Sequence, residues 1–209
     1  MIFVIISIMR NTIFIQLLIL SFFFLACENE IEDKYLSEKE IYAYLEQAPK
    51  TSPSQNHPTP FGEIEFDKVI AYDFEGSYEP YPAIYRKTSQ SFVPVVLRQN
   101  FLSQNQVDHA ISFLSDSASY GESTAACFDP HMALVFFKGK EVKFQINICL
   151  SCNYLTSTEE IPATIAKWIQ VEEGIEYPAR GFSKLGVEHI KNLAKDLKLD
   201  YGSISMEEE

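Results

Sequence analysis

Basic residues are scarce in this chain: 17 Lys and Arg stand against 29 Asp and Glu in 209 residues, a formal net charge of -12. A partner with a phosphate backbone, or an anionic membrane surface, would be repelled, so no nucleic acid is expected as a partner. Glycine is sparse at 8 residues, and the chain is 46% hydrophobic and only 22% charged, which excludes collagen-like and disordered classes and leaves a globular chain with one sizeable core. The motifs that announce common chemistries are missing as well. There is no G-x-x-x-x-G-K-[ST] phosphate loop, no G-x-G-x-x-G, no H-E-x-x-H and no G-x-S-x-G elbow; Gly181-Phe182-Ser183-Lys184-Leu185-Gly186 misses the last by one position and is read as a helix start. The carboxylates are scattered without an acid and base pair, and no internal repeat is visible. No catalytic residue is assigned, and the balance leans away from an enzyme.

What the chain does have is a long apolar run at its beginning. Residues 1–9 carry no charge, Arg10 is the first, and residues 13–26 are broken only by Gln16 and Ser21. Such a run either spans a bilayer or directs export, and its flanks decide between the two. Met9, Arg10, Asn11 and Thr12 form a short basic n-region, residues 13–24 an apolar h-region, and small Ala26 precedes Cys27, which is the layout of a signal peptide over residues 1–26 with Met9 as the expected true start. Phe24-Leu25-Ala26-Cys27 resembles the lipobox of bacterial lipoproteins, in which a peptidase cleaves before a cysteine whose thiol is acylated. The resemblance implies lipidation at Cys27, with two or three acyl chains as a firm anchor where one would hold only marginally. An uncleaved membrane anchor is the alternative, and it too leaves the remainder outside the cytosol. The acidic stretch Glu28-Asn29-Glu30-Ile31-Glu32-Asp33-Lys34 is similar to the surface-export signals of Bacteroidota lipoproteins; its plainer reading is a solvated tether held off the headgroups by like charge.

Beyond the leader, Ser37 and Glu40 form a capping box ahead of Ile41, Tyr44 and Leu45, predicting a short helix over residues 37–47. Pro49, Pro53, Pro58 and Pro60 then read as a stiff linker, so residues 27–60 are expected to be a tether and residues 61–205 a single domain. Alternation predicts a strand over 63–74, a loop over 76–87 and a strand over 92–97 whose Pro94 points to an edge position. Ser103 with Gln106 caps a helix whose stripe is Val107, Ala110, Ile111 and Leu114. The β-branched and aromatic runs 132–137 and 142–148, joined through Gly139, predict a hairpin. Residues 161–170 are read as helical, and Ser183 caps a last helix striped by Val187, Ile190, Leu193, Ala194 and Leu197. The fold class is therefore α+β: an antiparallel sheet around a central hairpin, with the 103–114 and 183–198 helices on one face. Glu207-Glu208-Glu209 is a solvated tail.

Closure of that hairpin gathers Cys127, His131, Cys149 and Cys152 at its open end. A two-residue turn at Gly139-Lys140 sets Cys127 opposite Cys152 and His131 opposite Ile148, whereas a one-residue slip changes every facing. With Cys27 acylated, the remaining three of the 4 cysteines leave one sulfur over after any disulfide. A structural disulfide suits an oxidising compartment and contributes about 2–4 kcal/mol. A Cys₃His site, spaced C-x₃-H and C-x₂-C, would instead suit zinc or copper. Thiol exchange through Cys149-Leu150-Ser151-Cys152 lacks the helix N-terminus that lowers a thiol pKa, and a Cys127 and His131 nucleophile pair oriented by Asp129 needs a particular geometry. His57 falls in the linker, and His109 and His189 sit at the borders of helix stripes.

Cys127-Phe128-Asp129-Pro130-His131, the hairpin leading into Ile148-Cys149-Leu150-Ser151-Cys152-Asn153, and Gly181-Phe182-Ser183-Lys184-Leu185-Gly186 together resemble an uncharacterised family of exported Bacteroidota proteins across residues 61–201. That resemblance implies localisation and a single domain and no activity. The expectation is a lipoprotein of the cell envelope, lipid-anchored to the outer membrane, that is a non-catalytic module binding an unknown protein or small ligand. No cofactor is expected; the alternative is a metal-binding or thiol-active lipoprotein using the cysteine cluster.

Overall fold

A computed structural model describes residues 34–52 and 57–200. The signal peptide, Cys27, the acidic stretch before Lys34, Pro53 and Ser54, and the tail after Asp200 lie outside the described residues. The elements run α1 (Glu38–Gln47), β1 (Lys68–Phe74), β2 (Tyr85–Arg86), β3 (Ser91–Phe92), β4 (Val96–Phe101), α2 (Gln104–Leu114), β5 (Tyr120–Glu122), β6 (Met132–Lys138), β7 (Glu141–Cys149), β8 (Tyr154–Ser157), β9 (Trp168–Glu172), β10 (Ile175–Pro178), β11 (Gly181–Phe182) and α3 (Lys184–Asp196). The main sheet has 5 strands in the order β4-β1-β6-β7-β8, all pairs antiparallel, so the fold is α+β. Among the described residues no helix is long and apolar enough to cross a membrane.

The central strands explain the layering. Nearly every residue of β1 and β6 is buried, which requires cover on both sides of the sheet. Val69, Ala71, Leu134, Phe136, Phe144, Ile146 and Ile148 face a core completed by Val107, Ile111 and Leu114 of α2 and Ile190 and Leu193 of α3. Both helices therefore lie on one face, as their stripes predict, and both carry the expected serine caps at Ser103 and Ser183. Alternate residues Ile70, Tyr72, Phe74, Ala133, Val135 and Phe137 face the opposite side, where they meet Ile41 and Leu45 of α1 together with Ile84, Phe92 and Val96.

That second core corrects the boundary expected at Phe61. Ile41 and Leu45 are 0% and 1% exposed, so α1 is a layer of the domain rather than part of a tether. It is also held by polar contacts: the Lys68 ammonium donates to the Leu45 carbonyl at 2.6 Å, and Leu36 N–H donates to Val96 O at 2.7 Å. The proline-bearing segment then crosses to the other face, where Phe61 and Phe66 enter the α2 and α3 core. Its role is a strap around the sheet, pinned by Thr51 N–H to Asp67 O at 2.7 Å. His57, within it, sits 3.2 Å from Asp108 of α2.

Other expectations shift for local reasons. The strand expected from residue 63 begins only at Lys68, because the chain is still turning onto the core at Phe66. Pro94 divides the 92–97 prediction into β3 and β4, and β4 does occupy a sheet edge. Residues 161–170 are not a helix: after a single 3₁₀ turn at Pro162–Thr164, Trp168–Glu172 pairs with Ile175–Pro178 through a turn in which Gly174 takes φ 82°. The central hairpin keeps the predicted facing at its tip, Lys138 opposite Glu141, but a bulge after Phe137 shifts the later pairs, so Met132 lies opposite Ile148.

The start of β2 is docked by side chains of β7. Gln145 and Asn147, 6% and 2% exposed, point from β7 towards the α1 side of the sheet. The Asn147 amide oxygen accepts from Ile84 N–H at 2.9 Å, while Gln145 accepts from Tyr85 N–H at 3.1 Å and donates to Tyr85 O at 2.8 Å. Asn147→Leu leaves the buried Ile84 N–H without its acceptor, and should lower unfolding free energy by about 1–3 kcal/mol in urea titrations followed by circular dichroism.

Candidate functional site

The sulfur cluster forms where β7 ends. Backbone hydrogen bonding returns the chain after Cys149 in a turn, with Asn153 N–H donating to Leu150 O at 3.1 Å and Asn153 in the left-handed region at φ 61°. That turn brings Cys149 and Cys152 to a Cα separation of 5.2 Å and a disulfide joins them. Both are buried, at 0% and 1% exposure, in a small apolar cluster with Phe128. Tyr154 closes it, its ring 4.7 Å from that of Phe128.

The facing of Cys127 with Cys152 expected from a regular hairpin does not form. The bulge in β7 shifts the register and regular pairing stops before Pro130, and the backbone partner of Cys152 is Ala125, whose N–H donates to Cys152 O at 2.9 Å. Cys127 is left exposed with no disulfide. His131 loses its predicted facing, since Met132 lies opposite Ile148, but its N–H still donates to Ile148 O at 3.2 Å, while its ring Nδ1 lies 3.3 Å from Phe74 O. Asp129, a candidate to orient that imidazole, instead accepts from Tyr78 N–H at 2.7 Å. A Cys₃His metal site would draw on Cys127, His131, Cys149 and Cys152, and in this oxidised state the sulfurs of Cys149 and Cys152 are bonded to each other. Among the described residues no group of three or more His, Cys, Asp or Glu side chains is arranged to hold a metal ion.

Two titratable groups border the cluster. Burial pushes the Tyr154 phenol above its ordinary value, and negative charge on Cys127 and Tyr78 pushes the same way. Glu75, which follows β1, is held below the usual carboxylate range by hydrogen bonds from the Lys34 ammonium and the Tyr35 hydroxyl, with His131 adding a smaller pull. These contacts pin the first described residues to the same end of the sheet as His131.

The Gly181-Phe182-Ser183-Lys184-Leu185-Gly186 segment packs against this turn. Asn153 donates from its side-chain amide to Ser123 O at 3.0 Å and Phe182 O at 3.1 Å, and Phe182 N–H donates to Asn153 O at 3.0 Å. A Cβ at Gly181 would fall 2.4 Å from Ser123 O, so only glycine lets β11 approach β5 this closely. Beside it opens a cleft of about 670 Å³ lined by Asn153, Phe182, Lys184, Glu188 and Lys191 among others. Sequence reasoning had no signal for this cleft, because Glu122, Asn153 and Lys191 are separated along the chain and meet only through the β5 and β11 pairing. His109 and His189, placed at stripe borders, meet edge to face across α2 and α3 with centroids 5.3 Å apart.

No protein family model matches the chain, and no curated protein or solved structure matches it either.

Reduction of Cys149–Cys152 opens a loop of only about four residues, for which chain entropy supplies roughly 2 kcal/mol. Urea titration with and without dithiothreitol should show a loss of about that size. Gly181→Ala should cost about 1–3 kcal/mol, since the new methyl meets fixed backbone oxygens, and the same titration reads it.

Proposed function

We propose that this chain is a membrane-anchored lipoprotein of the bacterial cell envelope, held to the outer membrane through acylated Cys27, and that its folded part is a non-catalytic binding or structural module. The apolar leader ending in Phe24-Leu25-Ala26-Cys27 is the observation that carries the proposal. The covalent reach from Cys27 to Lys34 is at most about 25 Å. Because Lys34 and Tyr35 are already tied to Glu75 and α1 is a layer of the fold, such an anchor would hold the domain near the bilayer surface. The cleft beside Asn153 and Phe182 supports a binding role for a small ligand or a peptide segment of a partner. A relationship to the uncharacterised Bacteroidota lipoproteins belongs to the same proposal, on the cysteine, hairpin and Gly181–Gly186 motifs.

Labelled palmitate fed to cells expressing the full chain should enter the wild-type protein and be absent from Cys27→Ala; equal labelling of both would remove the proposal's foundation. Elemental analysis with a free-thiol count on the purified domain should find one reactive thiol, Cys127, and no stoichiometric metal. About one zinc or copper per chain would replace the non-catalytic module with the Cys₃His alternative.

A further inference from the structure

The Cys149–Cys152 bond is shut away from solvent while a third thiol, Cys127, is exposed on a segment whose backbone touches Cys152. Phe128 and Tyr154 pack over the bonded pair, whereas Cys127 is exposed and unbonded. The chain on either side of Cys127 touches Cys152. Ala125 N–H donates to Cys152 O at 2.9 Å, and Asp129 N–H reaches Cys152 Sγ at 3.3 Å. Cys127 is thus the midpoint of an arc pinned at both ends to Cys152, with its Cα no more than about 7.5 Å from that of Asp129. Tyr154 pairs in register with Cys149.

The bonded sulfurs are not equivalent. Cys149 Sγ accepts from Cys152 N–H at 3.1 Å and has the Ser151 hydroxyl at 3.3 Å. Cys152 Sγ has Asp129 N–H at 3.3 Å and the same hydroxyl only at 3.9 Å. A thiolate released at Cys149 would find its hydrogen-bond donors already in place, and a thiol with stabilised thiolate leaves faster.

We propose that Cys127 is an exchange thiol for the buried bond: its thiolate attacks Cys152 Sγ, forming Cys127–Cys152 and expelling Cys149 as a thiolate. One S–S bond forms as another breaks, so no oxidant or reductant is consumed. Solvent takes the proton from Cys127 and returns one to Cys149. The exchange carries the disulfide to an exposed sulfur. There a low-molecular-weight thiol attacks Cys127 Sγ, giving a mixed disulfide on Cys127 and a thiolate on Cys152, and a second such thiol releases Cys127 as its own disulfide forms. The net change is two small thiols oxidised and Cys149–Cys152 reduced. This chemistry is independent of the lipid anchor and gives the module a thiol-dependent state.

The test compares wild type with Cys127→Ser during reaction with reduced glutathione at pH 8. Samples are quenched in acid, alkylated with N-ethylmaleimide and mapped by mass spectrometry. Cys127 is exposed and unbonded, so its replacement leaves the fold intact, which circular dichroism checks. Loss of Cys149–Cys152 should be about tenfold or more slower in Cys127→Ser, and wild-type samples should contain a Cys127–Cys152 peptide with the alkyl group on Cys149. Equal rates, no reduction in either protein, or an alkyl group found only on Cys127 while Cys149–Cys152 persists would each overturn the proposal.

Discussion

The architecture depends on the burial of β1 and β6 from both sides. Two adjacent strands whose side chains are apolar at nearly every position cannot lie at a surface, since each exposed Phe, Ile or Val forfeits about 1.5–3 kcal/mol of burial. One apolar layer is supplied by the chain after the sheet begins, through α2 and α3. The other is shared between α1, the only helix before β1 among the described residues, and Ile84, Phe92 and Val96 after it. The strap through Thr51 and Phe61 follows from this requirement: a chain that covers one face first and enters β1 with Phe61 and Phe66 on the other has to cross the sheet between them.

Polar groups inside this doubly covered sheet are tolerated where they replace missing backbone partners. The segment at Ile84 and Tyr85 runs over the α1 face without joining the main sheet, and its N–H groups would otherwise be buried without acceptors. Gln145 meets both the N–H and the carbonyl of Tyr85, acting towards that residue as a neighbouring strand would. Asp73 serves the far end in the same way, accepting from Asp200 N–H at 2.6 Å and so fixing the chain as it leaves α3.

Much of this was legible in the residues. The capping serines marked the three described α-helices, because a cap is a local contract between residues three apart, and the central hairpin followed from two β-branched runs around Gly139. What sequence reasoning missed is tertiary. Pro49, Pro58 and Pro60 read as a linker because prolines make extended chain, and nothing local says whether extended chain lies in solvent or straps a sheet. The apolar stripe of Ile41 and Leu45 was visible, yet its destination was not. At Trp168 and Ile169, helical spacing outweighed a turn at Gly174 that identifies a hairpin. That Gln145 and Asn147 would be buried was not legible, since alternation reports two faces and not which of them is wet. At the cysteines, the bulge in β7 and the turn after Cys149, neither visible in the hydrophobic pattern, decided which sulfurs met.

That choice has a consequence for the cleft. A disulfide across the hairpin, between Cys127 and Cys152, would close a loop many times longer than the one present and would act on the whole domain through chain entropy. Joining Cys149 to Cys152 constrains little more than one turn, and the restraint is correspondingly local. The turn ends at Asn153, whose left-handed backbone aims its side-chain amide at Ser123 and Phe182, and those residues line the cleft with it. The sulfur bond therefore fixes the residue that holds β11 against the strand running from Tyr120 to Glu122. Moving that bond to Cys127 would free the turn at its Cys149 end while retaining a sulfur link at Cys152, next to Asn153.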